Sequence, residues 1–332
     1  MTVRFVANRF GLFLLIVLAA LTLNFLLPRM LPGDPVQRIF DSLMGYSGTF
    51  TGDSQAIVDR YNEKYGLNLP LWQQFFNYLG DLTRFDLGHS IQHFPAKVTS
   101  IIGVALPWTV VLLLLSSLIS FTLGTVMGAL IPWPGTPKAI TGSVPGLMVL
   151  AALPPFLLGI VLIFLFIVVW PWFPAGGGIT PGLQPGFNFE AIVSMVKHAA
   201  MPATALVFAS TGFWALAMRG MTVSVLGEDY IMLARAKGIR KSRIFFRYGL
   251  RTAMLPQITA LAMGLGNLVG GAILVEAIFA YPGVGTLLFQ AIGAGDYFML
   301  QGLSVVVIIT TGVALLLLDL IYPLIDPRIG AG

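Results

Sequence analysis

The sequence predicts an all-α polytopic membrane protein with six transmembrane helices, and three observations carry that prediction. Of its 332 residues, 57% are hydrophobic and only 10% are charged, whereas about a quarter of a soluble domain is charged. Mean hydropathy is +0.87. Six runs, at approximately 10–28, 101–131, 145–170, 199–218, 254–280 and 302–325, are apolar over the ~20 residues that one helical crossing requires. An ordinary cytosolic enzyme and a disordered chain are excluded together. Cysteine is absent, which removes disulfides, thiolate catalysis and cysteine-based zinc sites. The formal net charge is +5. In a chain this apolar, the partner for that excess is the lipid bilayer rather than nucleic acid.

The first run follows Arg4 and Arg9 and ends at Leu27-Pro28. It is longer than a signal-peptide core and lacks a clean small-residue cleavage site, so residues 1–30 are expected to be a retained anchor helix. Residues 31–97 form a long loop with two amphipathic stretches. In 53–65, Ile57, Tyr61 and Tyr65 recur at helical spacing before Gly66 and Pro70. In 71–86, Trp72, Phe75, Leu79 and Leu82 are expected on one face. Such helices lie on a membrane surface or cap a cavity, and a small packed subdomain would show the same pattern. The spans themselves carry breakers at Pro107, Pro154, Pro155, Pro202 and Pro256. Gly124–Gly128 and Gly266–Gly270 are small-xxx-small pairs that let helices approach closely. In the glycine-rich fifth run, Gly264, Asn267, Gly270 and Gly271 are candidates for helix packing or for lining a pathway.

Orientation follows from the basic residues. With the N-terminus inside, segments 1–9, 132–144, 219–253 and 326–332 hold 12 of the 19 Lys and Arg residues, and the two short outer loops hold one. Nine of the 14 acidic residues fall outside. Both termini are therefore expected in the cytoplasm, with 31–97 extracytoplasmic and 326–332 a cytoplasmic tail.

The 219–253 loop is the most informative stretch. Glu228 and Asp229 open a short helical pattern, Arg235 and Lys237 close it, and Gly238 follows. Acids first, bases last and glycine just beyond are what the helix dipole and a C-terminal cap favour. Tyr230, Leu233 and Ala234 are expected to share one face of this helix of about ten residues. A second helix places Arg240, Arg243, Arg247 and Arg251 along one stripe, as in a basic helix against anionic headgroups. A positive-inside loop with no partner would explain those arginines alone, but not the capped helix in front of them.

The stretch EDYIMLARAKGIRKSRIFFRYGLRTAMLP, from Glu228 to Pro256, resembles the cytoplasmic coupling loop of ABC-importer permeases, most closely the dipeptide/oligopeptide/nickel branch. The resemblance extends over nearly the whole chain. It includes RMLPGDP at 29–35, KYGLNLPLWQQFFNYLGDLTRFDLGHSI at 64–91 and LVGGAILVEAIFAYPGVGTLL at 268–288, then DYFMLQG at 296–302 and DLIYPLIDPRI at 319–329. It implies a type I importer permease fold with a core over 98–325, a bacterial inner-membrane location, a second homologous permease and two ATP-binding subunits. An extracytoplasmic binding protein would deliver substrate. The residues contacting the ATPase would be Glu228, Asp229, Tyr230, Ala234, Arg235, Ala236, Lys237 and Gly238. Where the general importer motif has Glu-Ala-Ala, this chain has Met232-Leu233-Ala234, and Leu255-Pro256 falls later than in sugar importers.

A separate ATPase is also expected from the residues themselves. A phosphate-binding loop needs Gly-Lys followed by Ser or Thr; the six lysines follow Glu63, Ala96, Pro137, Val196, Ala236 and Arg240. ATP and Mg are thus expected on partner subunits, with no cofactor, metal or catalytic residue in this chain. Neither G-x-S-x-G nor H-E-x-x-H occurs. Glu276 and Asp319, charged and within spans, are functional suspects by default. A pair with a neighbouring helix or the partner permease is the simpler expectation for Glu276, and a cap or an ion pair with Arg328 for Asp319. His89 and His93 at i, i+4 could hold a metal on a helix, but no third ligand is in view. For substrate, peptides and oligosaccharides stand nearly even, with a slight lean to oligosaccharides. The inner loop 132–144 has one basic residue, 105–117 resembles oligosaccharide-type members, and the aromatic outer loop would stack on sugar rings. An ATP-independent secondary transporter or channel is the alternative, although it would be expected to show paired repeats and mid-membrane charges.

Overall fold

The structure, a computed structural model, describes residues 3–30, 68–90, 92–93, 95–266 and 273–325. The amphipathic stretch expected at 53–65, most of 29–35, and Asn267, Gly270, Gly271 and Arg328 lie outside them. The described elements, numbered in chain order, are α1 (Val3–Met30), α2 (Leu71–Thr83), α3 (Val98–Leu130), α4 (Val144–Ala152), α5 (Pro155–Ile163), α6 (Phe189–Leu226), α7 (Asp229–Ala236), α8 (Arg251–Gly266), α9 (Ile273–Ile278), α10 (Val284–Ala294) and α11 (Tyr297–Ile325). Single turns stand at Lys138–Thr141 and Lys241–Arg243, and π-helical segments at Phe164–Val169 and Ile244–Leu250. Among the described residues, four helices are long and apolar enough to cross a membrane, and a fifth span arises if one bent pair counts once. The run expected at 254–280 is described as α8 and α9 on either side of 267–272.

The bent pair corrects the expectation of one continuous helix over 145–170. Helical segments 138–152 and 155–169 meet at 99°. The cause is local: Pro154 and Pro155 bring no N–H to the backbone ladder, and the residue before a proline is driven out of the α region. Leu153 is accordingly extended, with φ −84° and ψ 124°. Helix α6, by contrast, tolerates Pro202 and runs for 38 residues from Phe189 to Leu226, well beyond the expected 199–218. Asn188 starts it early by accepting the Ala191 N–H at 2.7 Å.

The chain divides into two compact units, Met1–Pro107 with Thr286–Leu316, and Trp108–Gly285 with Leu317–Gly332. In the first, α2 is fastened to the end of α1. Phe25 is buried against Phe75 and Tyr78, with ring centroids 5.2 and 5.5 Å away. Asn24 donates to the Gln301 carbonyl at 3.1 Å, and Arg29 donates to Gln74 Oε1 at 3.1 Å and to the Tyr297 hydroxyl. Trp72 does not join Phe75, Leu79 and Leu82 on the packed face: it is 66% exposed, as Phe76 is at 64%. α11 starts at Tyr297 rather than 302 because Asp296 caps it, accepting the Met299 N–H at 3.1 Å. His89 and His93 lie in an irregular segment rather than on one helix face; His89 bridges to Lys97 and His93 pairs with Ser90.

In the second unit α6 is the central post, and α4, α5 and α8 pack on it. The glycine pair on α3 is a close crossing with α6. A Cβ at Gly124 would stand 2.5 Å from that of Trp214, and one at Gly128 would strike the Ala215 carbonyl and lie 2.8 Å from Met218 Cβ. Gly212 on α6 serves α4 in the same way, since a Cβ there would meet the Leu147 carbonyl and Ala151 N at 2.5 and 2.6 Å.

Candidate functional site

The short helix α7 hangs directly from the end of α6. Gly227 ends α6, donating to the Ser224 carbonyl at 3.1 Å, and Glu228 is extended at φ −74° and ψ 142°. The Ile231 and Met232 amides then bond the Glu228 carbonyl and set the new axis. The Glu228 side chain makes no capping bond, so both it and Asp229 project as exposed anions at the positive end of the helix. At the other end the Gly238 N–H donates to the Arg235 carbonyl at 3.0 Å and the Ile239 N–H to the Ala234 carbonyl at 3.2 Å. These two bonds are the Schellman pattern, with Gly238 left-handed at φ +68°.

The face of α7 that packs inward differs from the expected one. Ile231 is fully buried and Ala234 is 4% exposed, whereas Tyr230, Met232 and Leu233 are 37%, 64% and 56% exposed. Residues 230–234 are all apolar, so spacing alone carried no contrast between faces. Ile231 and Ala234 seat in a cluster with Ala129 of α3, Met218 and Val225 of α6, and Ile244 and Ala253. Trp133 closes this cluster from the loop after α3. Its ring meets Phe245 edge-on at 4.8 Å and covers Gly249, where a Cβ would come 3.3 Å from the indole. Ile231 and Trp133 are the two supports that the sequence pattern did not single out.

What remains outward is a compact surface of mixed chemistry. Glu228, Asp229, Tyr230, Arg235, Ala236, Lys237 and Gly238 are exposed, while Ala234 belongs to the buried side. Arg240, Arg243, Arg247 and Arg251 are exposed as well. They do not ride one regular α-helix: Arg240 precedes the turn at Lys241–Arg243, Arg247 sits in the π-helical segment, and Arg251 opens α8. A Cβ at Gly238 would meet nothing within 4 Å, so substitution there costs only backbone conformation. Gly238→Ala is expected to cost about 1 kcal/mol at the end of α7. Amide exchange at Ile239 should then accelerate about five-fold, with Gly238→Asn giving a smaller change.

The expected pathway candidates fare differently. Gly264 lies in α8. Glu276 lies in α9, 1% exposed, and its Oε2 accepts the Gly285 N–H at 2.6 Å. Thr109 Oγ1 accepts the neighbouring Val284 N–H at 2.8 Å. A Cβ on Gly283 would collide with both side chains, so this carboxylate holds the Tyr281–Gly285 turn through a backbone amide. Asp319 lies in α11.

Comparison with known proteins fits this geometry. Residues 141–331 match the family described as "Binding-protein-dependent transport system inner membrane component". The oligopeptide transport system permease protein AppB of Bacillus subtilis is 32% identical, with 95% of each chain covered. The probable D,D-dipeptide transport system permease protein DdpB of Escherichia coli is 32% identical over 96% of this chain and 95% of its own. The di/tripeptide transport system permease protein DppB of Pseudomonas aeruginosa is 30% identical over 98% of each chain.

Proposed function

The chain belongs to the binding-protein-dependent transport system inner membrane component family, a membrane permease family, and we propose that it is one of two permease subunits of an ATP-driven importer of short peptides. The observation that carries the reading is the two-faced α7. Its Ile231 and Ala234 side is bolted to the ends of α3 and α6, while Tyr230, Met232 and Leu233 stand exposed between acidic and basic ends. Exposed apolar side chains rimmed by charge mark a protein-docking surface. α7 is the coupling helix, and it enters a cleft on a separate ATP-binding subunit through Glu228, Asp229, Tyr230 and Arg235, with Ala236, Lys237 and Gly238 at its C-terminal edge.

The termini and α7 lie on the cytoplasmic side, in keeping with the excess of Lys and Arg in the short inner loops. ATP binding closes two ATPase subunits, moves two coupling helices together, and rocks the permease pair open toward a binding protein outside; hydrolysis resets it. This chain contributes the lever and half of the path. The substrate class follows from the relatives, which are named for oligopeptides, D,D-dipeptides and di/tripeptides. They shift the near-even balance of the sequence from oligosaccharides to peptides.

Co-purification in mild detergent tests the assembly. The chain should bring a second permease and two ATP-binding subunits, and short peptides presented by the cognate binding protein should stimulate ATP hydrolysis where cello-oligosaccharides do not. A chain that purifies alone and transports without ATP would overturn the proposal.

A further inference from the structure

The break between α4 and α5 opens into a hollow within the second unit. The hollow has a volume of about 440 Å³, inside the ~300–1,000 Å³ range of small-molecule sites. Its floor is the break itself, Ala151 to Pro155, and its walls carry the hydroxyl-bearing Ser117 and Ser120 of α3 and Ser210 of α6 beside Phe213 and Leu261. Ala151, Ala152, Leu153 and Pro154 are all exposed.

Covalent chemistry decides what can cover this surface. In an uninterrupted helix the carbonyls of Leu150 and Ala151 would accept N–H bonds from residues 154 and 155, but both are proline. Among the described residues no other backbone N–H replaces those donors. A carbonyl left unsatisfied against hydrocarbon costs several kcal/mol, so irregular backbone at membrane depth belongs against protein or a water-filled cavity. In secondary transporters, broken helices beside a cavity likewise frame the substrate and coupling-ion sites.

We propose that this hollow is a transit subsite for the main chain of a short peptide. The freed carbonyls accept peptide N–H groups, the Ser117 and Ser210 hydroxyls bond its carbonyls, and Phe213 and Leu261 give side chains an apolar wall without a specific pocket. The buried Ser120 hydroxyl already donates to the Ser117 carbonyl at 3.1 Å. A site that reads the backbone in this way passes peptides of varied sequence. The proposal rests on the importer reading above and adds where in this chain the cargo is touched.

The absence of native cysteine supplies the test. Ala152→Cys and Ser210→Cys are each introduced into the complete transporter in liposomes, with Leu15→Cys on the exposed side of α1 as the lipid-facing control. Labelling by a membrane-impermeant thiosulfonate is followed with and without a transported tripeptide. Both site variants should label from water, and tripeptide at about ten times its Kd should slow labelling about ten-fold; Leu15→Cys should react only with a lipid-soluble maleimide. Three outcomes overturn the proposal. Reaction at both positions with the lipid-soluble reagent alone makes the hollow a lipid crevice. Protection from every reagent, with cross-linking to the second permease, makes it a subunit contact. Water labelling indifferent to tripeptide makes it a solvent cavity. Peptide-stimulated ATP hydrolysis of the parent transporter separates the two levels: if it is present, only the subsite falls, and if it is absent, the importer reading falls and takes the subsite with it.

Discussion

Arg235→Glu is expected to reduce peptide-stimulated ATP hydrolysis of the assembled transporter by about 30-fold or more, while the isolated permease inserts and melts as before. Arg235 is exposed in the last turn of α7, and the buried seat of the helix is made by Ile231 and Ala234, so folding does not draw on the guanidinium. In the docking proposed above, Arg235 becomes an interface charge, and a hot-spot residue of that kind contributes about 2 kcal/mol or more. Reversal adds repulsion to the loss. Glu228→Lys should act in the same direction from the other end of the helix, because its carboxylate makes no capping bond that the fold would lose. The assay is ATP hydrolysis with and without peptide-loaded binding protein, paired with pull-down of the ATPase. Normal stimulation in both variants would remove α7 from the coupling interface.

Gly128→Leu is expected to be the most damaging single substitution in the second unit. Its Cβ would press on the Ala215 backbone carbonyl and on Met218 Cβ at 2.8 Å, and a backbone obstacle cannot rotate away as a side-chain tip can. Overpacking costs about 1–3 kcal/mol when neighbours can give and more when backbone must move. The result should be a large loss of monodisperse protein after mild heating in detergent, read by size-exclusion chromatography. Gly103→Leu, on the same helix with nothing within 4 Å, is the control and should be nearly silent. The Gly128 variant also tests how α7 is held, since Met218 and Ala129, on either side of this crossing, both belong to the cluster that seats Ile231.

Much of this architecture could be read from residue chemistry. The end of α7 follows from Gly238, because few other residues accept φ +68° so readily. The α3–α6 crossing follows from the Gly124–Gly128 spacing, because the missing side chains are what permit the approach. The break before α5 is foreshadowed by Pro154-Pro155, but not its direction. Proline removes a bond; the 99° turn is set by what each half packs against, including the backbone of α4 pressed onto Gly212. The same limit explains the two misassigned faces. Across Tyr230–Ala234 all five side chains are apolar, and on α2 Trp72 and Phe75 are both aromatic. Burial was therefore decided by Ile244, Met218 and Phe25 from elsewhere in the chain. For Glu276, the partner is a backbone amide at Gly285, which no side-chain pattern announces.

The π-helical segment Ile244–Leu250 bears on how this region could vary in length. Each of its rungs spans five residues instead of four, which amounts to one surplus residue wound into the rod between Arg243 and Arg251. Excising a single residue there would let the rod relax to ordinary winding. The far side stays nearly in place: losing one residue and tightening the remaining turns offset each other, so the side chains from Leu255 to Leu261 keep their bearing. The same excision in an α-helical stretch would swing them by roughly 100° around the axis. That segment is therefore a place where length can change without loss of phase, and a one-codon deletion within it would yield a folded protein whose eighth helix presents the same meridian to its neighbours.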